Sequence, residues 1–332
     1  MKNSIKQKIQ NSKVNFSGSL LKSLILPIVI GIIAIVLTIT VNFNKGIDFK
    51  GGIIVSFNAG QEVTLTDTSV YNEYKNGIEE VLNDNGVVGN VYTVENTSIV
   101  VKVEYNLKSA NKNSLIKNIK EDLVAKYYSD LDAEEVENRN LVEVDVFGSS
   151  ITLKVILKTF LATIVSVLLV CAYLGFRFGL HSAVMAMLSS IGSMLLTGAL
   201  IMITRIPLNT ESLIVIPFVT LISVVMSFLY SRKVKSISKN SNDLKNKSNI
   251  ALCDEAVRKI LYGELLISTI MALCIVLFGL FNMSNSIAYL CLALFEAILS
   301  ALYVNIFVMP AIFALSYVRK VKKEKNVEVE EI

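Results

Sequence analysis

Apolar residues in this chain are gathered into six long blocks. The first runs from Leu24 to Phe43. After a polar stretch come Ile156–Phe176, Ala183–Ile203 and Leu213–Tyr230, and after a charged stretch Leu265–Phe281 and Ile287–Leu315. A helix needs about 20 mostly apolar residues to cross the hydrocarbon of a bilayer, so the blocks predict six transmembrane helices. The last is long enough to span with tilt. Between the first two blocks the pattern changes. Ile53–Phe57 is β-branched and bounded by Gly52 and Asn58, which marks a strand. Thr66 or Asp67 can cap a helix with Val70, Tyr74, Ile78 and Val81–Leu82 on one face, ended by Asn83–Gly86. Val91–Val94 and Ile99–Tyr105 read as a strand pair around Asn96–Ser98. Leu115, Ile119, Leu123 and Tyr127 mark a second helix, and Leu141–Val146 a last strand. The predicted fold class is a polytopic α-helical membrane protein, six transmembrane helices, with one α+β domain in the β-α-β-β-α-β order of a ferredoxin-like unit.

Cations orient the spans, because short loops rich in Lys and Arg stay in the cytoplasm. The arm before span one carries Lys2, Lys6, Lys8, Lys13 and Lys22. The stretch after span four carries Arg232, Lys233, Lys235, Lys239, Lys245, Lys247, Arg258 and Lys259, and the tail carries Arg319, Lys320, Lys322, Lys323 and Lys325. With six spans all three fall on one side. The opposite side has Arg205 between spans three and four and no cation in Asn282–Ser286. The expected layout is a cytoplasmic arm over 1–23, a span over 24–43 and an outer domain over 44–151. Five spans follow over 152–317 with a basic cytoplasmic loop at 231–262, then a cytoplasmic tail over 318–332. The outer stretch is acidic, but long domains cross largely regardless of charge.

Composition narrows the function. The 332 residues are 53% hydrophobic and 18% charged, with a net charge of +4, and the mean hydropathy is +0.56. That balance suits a lipid bilayer as the surroundings and gives no case for nucleic acid. The first apolar block has no small-residue cleavage site after it and reads as a retained anchor. Four cysteines stand at 171, 253, 274 and 291 without metal-ligand or disulfide spacing. With no nucleophile–base pair, phosphate loop or metal cluster, the expectation is a protein that is not an enzyme and uses no cofactor or metal.

Polar residues near the membrane are few. His181 sits at the start of span three, and Glu211 and Glu264 lie near span ends, where a carboxylate reaches water. Glu296 lies about ten residues into span six. A carboxyl at that depth costs a few kcal/mol unless it is neutral, paired or wet, which makes it the candidate intramembrane acid. Pro217 is expected to kink span four. Ser189, Ser190, Gly192, Ser193 and Gly198 give span three a small-residue face for close helix packing.

Directly after span one comes Gly46-Ile47-Asp48-Phe49-Lys50-Gly51-Gly52. The glycines permit positive φ and Asp48 can bond neighbouring backbone amides, so the heptapeptide reads as a rigid joint between helix and domain. It resembles the Gly-Ile-Asp-Phe-x-Gly-Gly hallmark of the SecD and SecF proteins, which opens their first outer domain. Tyr173-Leu174-Gly175-Phe176-Arg177-Phe178 resembles that family's link between spans two and three, and Tyr303 to Pro310 resembles the end of its sixth span. The size of the outer domain favours SecF. The resemblance implies an accessory subunit of Sec protein export, within the resistance-nodulation-division superfamily. The partners it implies are a SecD-like subunit, a SecYEG-type translocon and translocating unfolded polypeptide. The implied place is a bacterial cytoplasmic membrane, multi-pass, with both termini cytoplasmic. The alternative is a stand-alone or paired transporter of the same superfamily, moving lipid or drug.

One departure bears on mechanism. The family's fourth span usually carries an Asp, its supposed proton carrier, shortly before an Asp-Arg pair. Anchored on Arg232, that position is Val225 here. Valine holds no proton, so the favoured expectation is a structural partner subunit in which Glu296→Gln leaves export largely intact; the alternative is proton coupling through a different acid, with Glu296 the relay candidate.

Overall fold

The computed structural model describes residues 7, 15–18, 20–60, 65, 67–95, 97–105, 111–149, 151–240, 249–281 and 285–315. Among these, six helices are long and apolar enough to cross a membrane. Span one is α1 (Leu20–Val41). Span two is α6 (Leu153–Phe178), span three α7 (Leu180–Thr204), span four α8 (Val215–Asn240), span five α9 (Asn249–Phe281) and span six α10 (Asn285–Tyr303). Span six continues through a π-helical turn at Val304–Val308 and on to residue 315. Pro310 follows that turn. It has no N–H to return to the carbonyl four residues earlier, and wide turns of this kind arise where the hydrogen-bond ladder is interrupted.

Spans three, four and six form the centre of the bundle. The apolar parts of spans one, two and five are mostly exposed, as bilayer-facing helices are. The centre is filled by small residues, with Ala293, Ala297 and Ala301 of span six buried against Val215, Val219 and Ile222 of span four. Small side chains let backbones approach closely, which is how helices gain packing where lipid removes the hydrophobic drive.

Three expectations about the spans change. The stretch 231–262, expected as a basic loop, is largely helix, because span four runs on to Asn240 and span five begins at Asn249. An apolar block marks the part of a helix in hydrocarbon, not the end of the helix. Arg232 is therefore an exposed helical residue and not a loop residue, and Glu264 and Cys253 are buried inside span five. Pro217 lies in the first turn of α8 behind a 3-10 turn at Thr210–Ile214. A missing N–H costs little there, so no mid-span kink is required. Ser241, most of the N-terminal arm and the tail lie outside the described residues.

The segment between spans one and two holds a sheet with strands β1 (Gly52–Asn58), β2 (Gly89–Glu95), β3 (Ser98–Glu104) and β4 (Val142–Phe147). Its order is β2-β3-β1-β4 and each neighbouring pair is antiparallel. Helix α3 (Thr68–Asp84) joins β1 to β2. Helices α4 (Lys112–Tyr127) and α5 (Ala133–Asn138) lie between β3 and β4. Asp67 caps α3 by accepting a hydrogen bond from the Ser69 N–H at 2.9 Å. One face of the sheet (Ile53, Val55, Phe57, Ile99, Val101, Val103) buries against Ile78 and Leu82 of α3 and Ile119 and Leu123 of α4. Each such side chain contributes about 1.5–3 kcal/mol on leaving water. Helix α5 and the short helix α2 (Ile47–Lys50) are too brief to leave a periodic signature and have no counterpart in the predicted pattern.

Candidate functional site

The Gly-Ile-Asp-Phe-Lys-Gly-Gly joint is where three parts of the molecule meet. Asp48, in α2, is 2% exposed. Its Oδ2 accepts hydrogen bonds from the Thr210 N–H and from the Thr210 hydroxyl, both at 2.8 Å. Its Oδ1 accepts from Lys102 Nζ of β3 at 3.1 Å. Its backbone carbonyl accepts from the Ile151 N–H at 3.1 Å and from the Ser149 hydroxyl at 3.2 Å, at the entry to span two. One aspartate thus ties the exit of span one to the outer sheet, to the start of span two and to the loop between spans three and four. The sequence suggested bonds to nearby amides; the structure shows partners up to 162 residues away.

The same loop pairs with the chain leaving span one. Gly46 N–H donates to the Leu208 carbonyl and Leu208 N–H to the Asn44 carbonyl, each at 3.0 Å, and Asn44 Nδ2 donates to the Arg205 carbonyl at 2.6 Å. Burial alone would raise the Asp48 carboxyl, but the two Thr210 hydrogen bonds and the bonded, charged Lys102 outweigh it and hold it below its ordinary value of 3.8. Asp48 is therefore an anion at neutral pH.

Each joint glycine has its own reason. Gly51 has φ +76° and ψ 174°, a region essentially closed to other residues. Gly52 needs no unusual φ, contrary to the positive-φ reading. A Cβ there would lie 2.0 Å from the Val103 carbonyl oxygen of the neighbouring strand. At Gly46 a Cβ would lie 1.9 Å from Asn209 Oδ1. Phe49 is half-buried.

A second polar cluster lies inside the bundle. The Ser189 hydroxyl of span three donates to Asn305 Oδ1 at 2.8 Å, and the Ser227 hydroxyl of span four donates to the same oxygen at 3.0 Å. Asn305 Nδ2 donates to Ser223 Oγ at 3.0 Å, and Ser223 also shares hydrogen bonds with Ser189 and Ser193. All five residues are buried, and Asn305 sits in the π-helical turn. The small-residue face of span three thus carries a hydrogen-bond network as well as close packing. Sequence reasoning missed Asn305; an amide inside an apolar block was the available signal.

Val225 is 49% exposed and points away from this cluster. Span four turns Ser223 and Ser227 inward, and Leu221 and Val225 outward. An acid at position 225 would sit on the outer face of this bundle. Glu296 is 6% exposed and lies near Thr204, at the far end of span three. Asp48 and Glu296 belong to separate places, one at the membrane surface and one inside the bundle.

A family model for the protein export membrane proteins SecD/SecF, C-terminal, matches residues 127–319. Two solved structures are similar. The crystal structure of SecDF in super-membrane-facing form has a TM-score of 0.61 at 17% identity, covering 95% of this chain and 40% of that one. The crystal structure of SecDF, a translocon-associated membrane protein, from Thermus thermophilus has a TM-score of 0.59 at 18% identity, covering 93% and 39%. At these identities the likeness is one of fold, and the chain spans about two fifths of each matched structure. No curated protein matches.

Proposed function

Because the chain belongs to the SecD/SecF family of protein-export membrane proteins, we propose that it is a SecF-like subunit. In this reading it works with a SecD-like partner and a SecYEG-type translocon to help unfolded polypeptides leave on the outer side of a bacterial cytoplasmic membrane. The observation that carries the reading is the joint: the family's heptapeptide is here a buried clasp between the outer domain and two inter-span segments. A domain held this way moves with the bundle, which is what passing work from membrane to polypeptide requires. The strand order β2-β3-β1-β4 supports a ferredoxin-like reading of that domain. The outward pair Leu221 and Val225 on an otherwise central helix suits a second membrane subunit, and 39–40% coverage of SecDF suits one half of a pair. No step of covalent catalysis enters.

Co-purification of the tagged chain from its own membrane tests this reading. A SecD-like protein in the complex is the expected result. A complex without one, but with lipid or drug transport in liposomes, would favour the transporter reading. Orientation is tested separately. Ser98→Cys in the outer domain is expected to react with a membrane-impermeant thiol reagent in intact cells and Ser241→Cys, in the basic stretch, is not. Labelling at 241 would invert the topology.

A further inference from the structure

A narrow groove runs between spans one, three and six. It is walled by Leu24 and Pro27 of span one, by span three between Met185 and Gly192, and by span six between Val304 and Ile312. Two backbone features shape it. Gly192 has no side chain, so its place on span three stays open; the nearest atom to where its Cβ would be is Val304 Cγ1, at 3.4 Å. Span six passes the groove in its π-helical turn, and Val304 and Val308 of that turn line it. Turns of this kind are frequent at functional sites. The third wall is pinned in place. Pro27 has no N–H for the Ser23 carbonyl four residues earlier, and the Tyr303 hydroxyl donates to that carbonyl instead, at 2.9 Å.

Depth, polarity and width together select the occupant. The lining residues fall in the first half of spans one and three and in the last half of span six. The groove therefore lies in the leaflet on the side of the arm before span one. At 1.5 Å per residue it is about 12 Å long, most of one leaflet's share of a hydrocarbon layer about 30 Å thick. Ser189 is the one hydroxyl-bearing residue in the lining, and it already donates to Asn305 at 2.8 Å. The walls are thus effectively apolar, and an apolar cavity takes an apolar guest in preference to water. Leu188 is 45% exposed, so the groove opens sideways to the bilayer. Its volume, counted to that open side, is about 400 Å³, at the small end for ligand sites. Spread over its length this gives a section about 6 Å across, too narrow for a helix of 10–12 Å. At the arm-side end, one turn beyond Met185 and Met309, stand His181 and Phe313, with ring centroids 4.4 Å apart. His181 is half-buried, and an imidazole N–H can donate to a phosphate oxygen.

We propose that this groove binds one acyl chain of a phospholipid from the arm-side leaflet, with the lipid phosphate at His181. The chain lies along Gly192 and against the π-helical turn. It supplies the contacts that Val304 and Val308 would lack beside an empty groove, and so supports the turn that holds Asn305. This goes beyond the export reading and does not rest on it.

The test uses the purified full chain in mild detergent with phosphatidylglycerol that carries a photoreactive group in one acyl chain. After illumination, labelled residues are identified by peptide mass spectrometry. Labelling is expected to saturate and to concentrate at Leu188, Met309 and their groove neighbours, above that on the exposed faces of spans two and five. Unlabelled phosphatidylglycerol should displace it, and the methyl ester of the same fatty acid should not. Gly192→Met places a side chain in the groove and should lose the labelling. Gly198→Met, on the same span where an added Cβ meets nothing within 4 Å, should keep it. Labelling spread evenly over the exposed spans, or full groove labelling in Gly192→Met, would overturn the proposal. Equal displacement by the methyl ester would overturn the assignment to a phospholipid. The wild-type pattern and its displacement need no variant, so they decide the matter even if Gly192→Met fails to fold. None of these results depends on whether a SecD-like partner co-purifies.

Discussion

Replacing Asp48 by Ala is expected to release the outer domain from the bundle while the six spans still insert. The substitution removes the acceptor for the Thr210 N–H, the Thr210 hydroxyl and Lys102. Hydrogen bonds involving a charged group contribute about 1.5–3 kcal/mol each. The Lys102 side chain is 29% exposed and can turn to water, so the net loss is expected at about 2–3 kcal/mol, below that for a fully buried pair. Limited proteolysis of sealed vesicles should cut around the joint in Asp48→Ala and not in wild type, with export impaired at unchanged protein level. Asp48→Asn keeps the shape and part of the hydrogen bonding but loses the charge, and should fall between. Acid should imitate the mutation late. A carboxyl whose pKa is lowered by folding stabilises the fold above its unfolded value of 3.8 and loses that contribution as pH falls through the lower folded value. Protection of the joint should therefore persist down to about pH 4 and fail below it. Equal protease resistance of Asp48→Ala and wild type would show that the clasp does not hold the domain.

Gly52→Val is expected to damage the outer domain more than Gly51→Val. At Gly51 the obstacle is conformational, and forcing an L-residue into its φ and ψ costs about 1–3 kcal/mol. At Gly52 the obstacle is the Val103 carbonyl oxygen, 2.0 Å from where Cβ must go. No rotamer relieves a clash with backbone, so β1 must move away from β3, breaking the ladder of two central strands. Overpacking with backbone displacement costs about 3 kcal/mol and at times more. Gly52→Ala should already show the defect, because the clash is at Cβ. Thermal unfolding of the outer domain, followed by protease sensitivity, ranks the variants. A Gly52→Ala domain as stable as wild type would show that the strands part at no cost.

How much of this was legible in the chain depended on distance along it. The spans were, because a bilayer demands a continuous apolar block and leaves no doubt about period. The four strands and two longer helices were, because Phe57, Ile78, Ile119 and their neighbours repeat at strand or helix spacing. The joint was legible as a motif but not as a clasp, since Lys102 and Thr210 lie 54 and 162 residues from Asp48 and nothing local selects them. Span six hid its chemistry for another reason. Asn305 is one polar residue in an apolar block, and its partners are serines that read equally well as small packing residues. The expectation that Glu296→Gln leaves export largely intact came from Val225, which holds no proton where the family's Asp would stand.

The central claim, that this chain assists protein export through an outer domain fixed to its membrane bundle, is most directly tested by export kinetics. The measurement is the release of a pulse-labelled secretory protein in cells whose only SecF-like chain is the wild type, Asp48→Ala or none. The account predicts slow release without the chain, restoration by the wild type, and little restoration by Asp48→Ala at equal protein level. Release at the same rate in all three would contradict it.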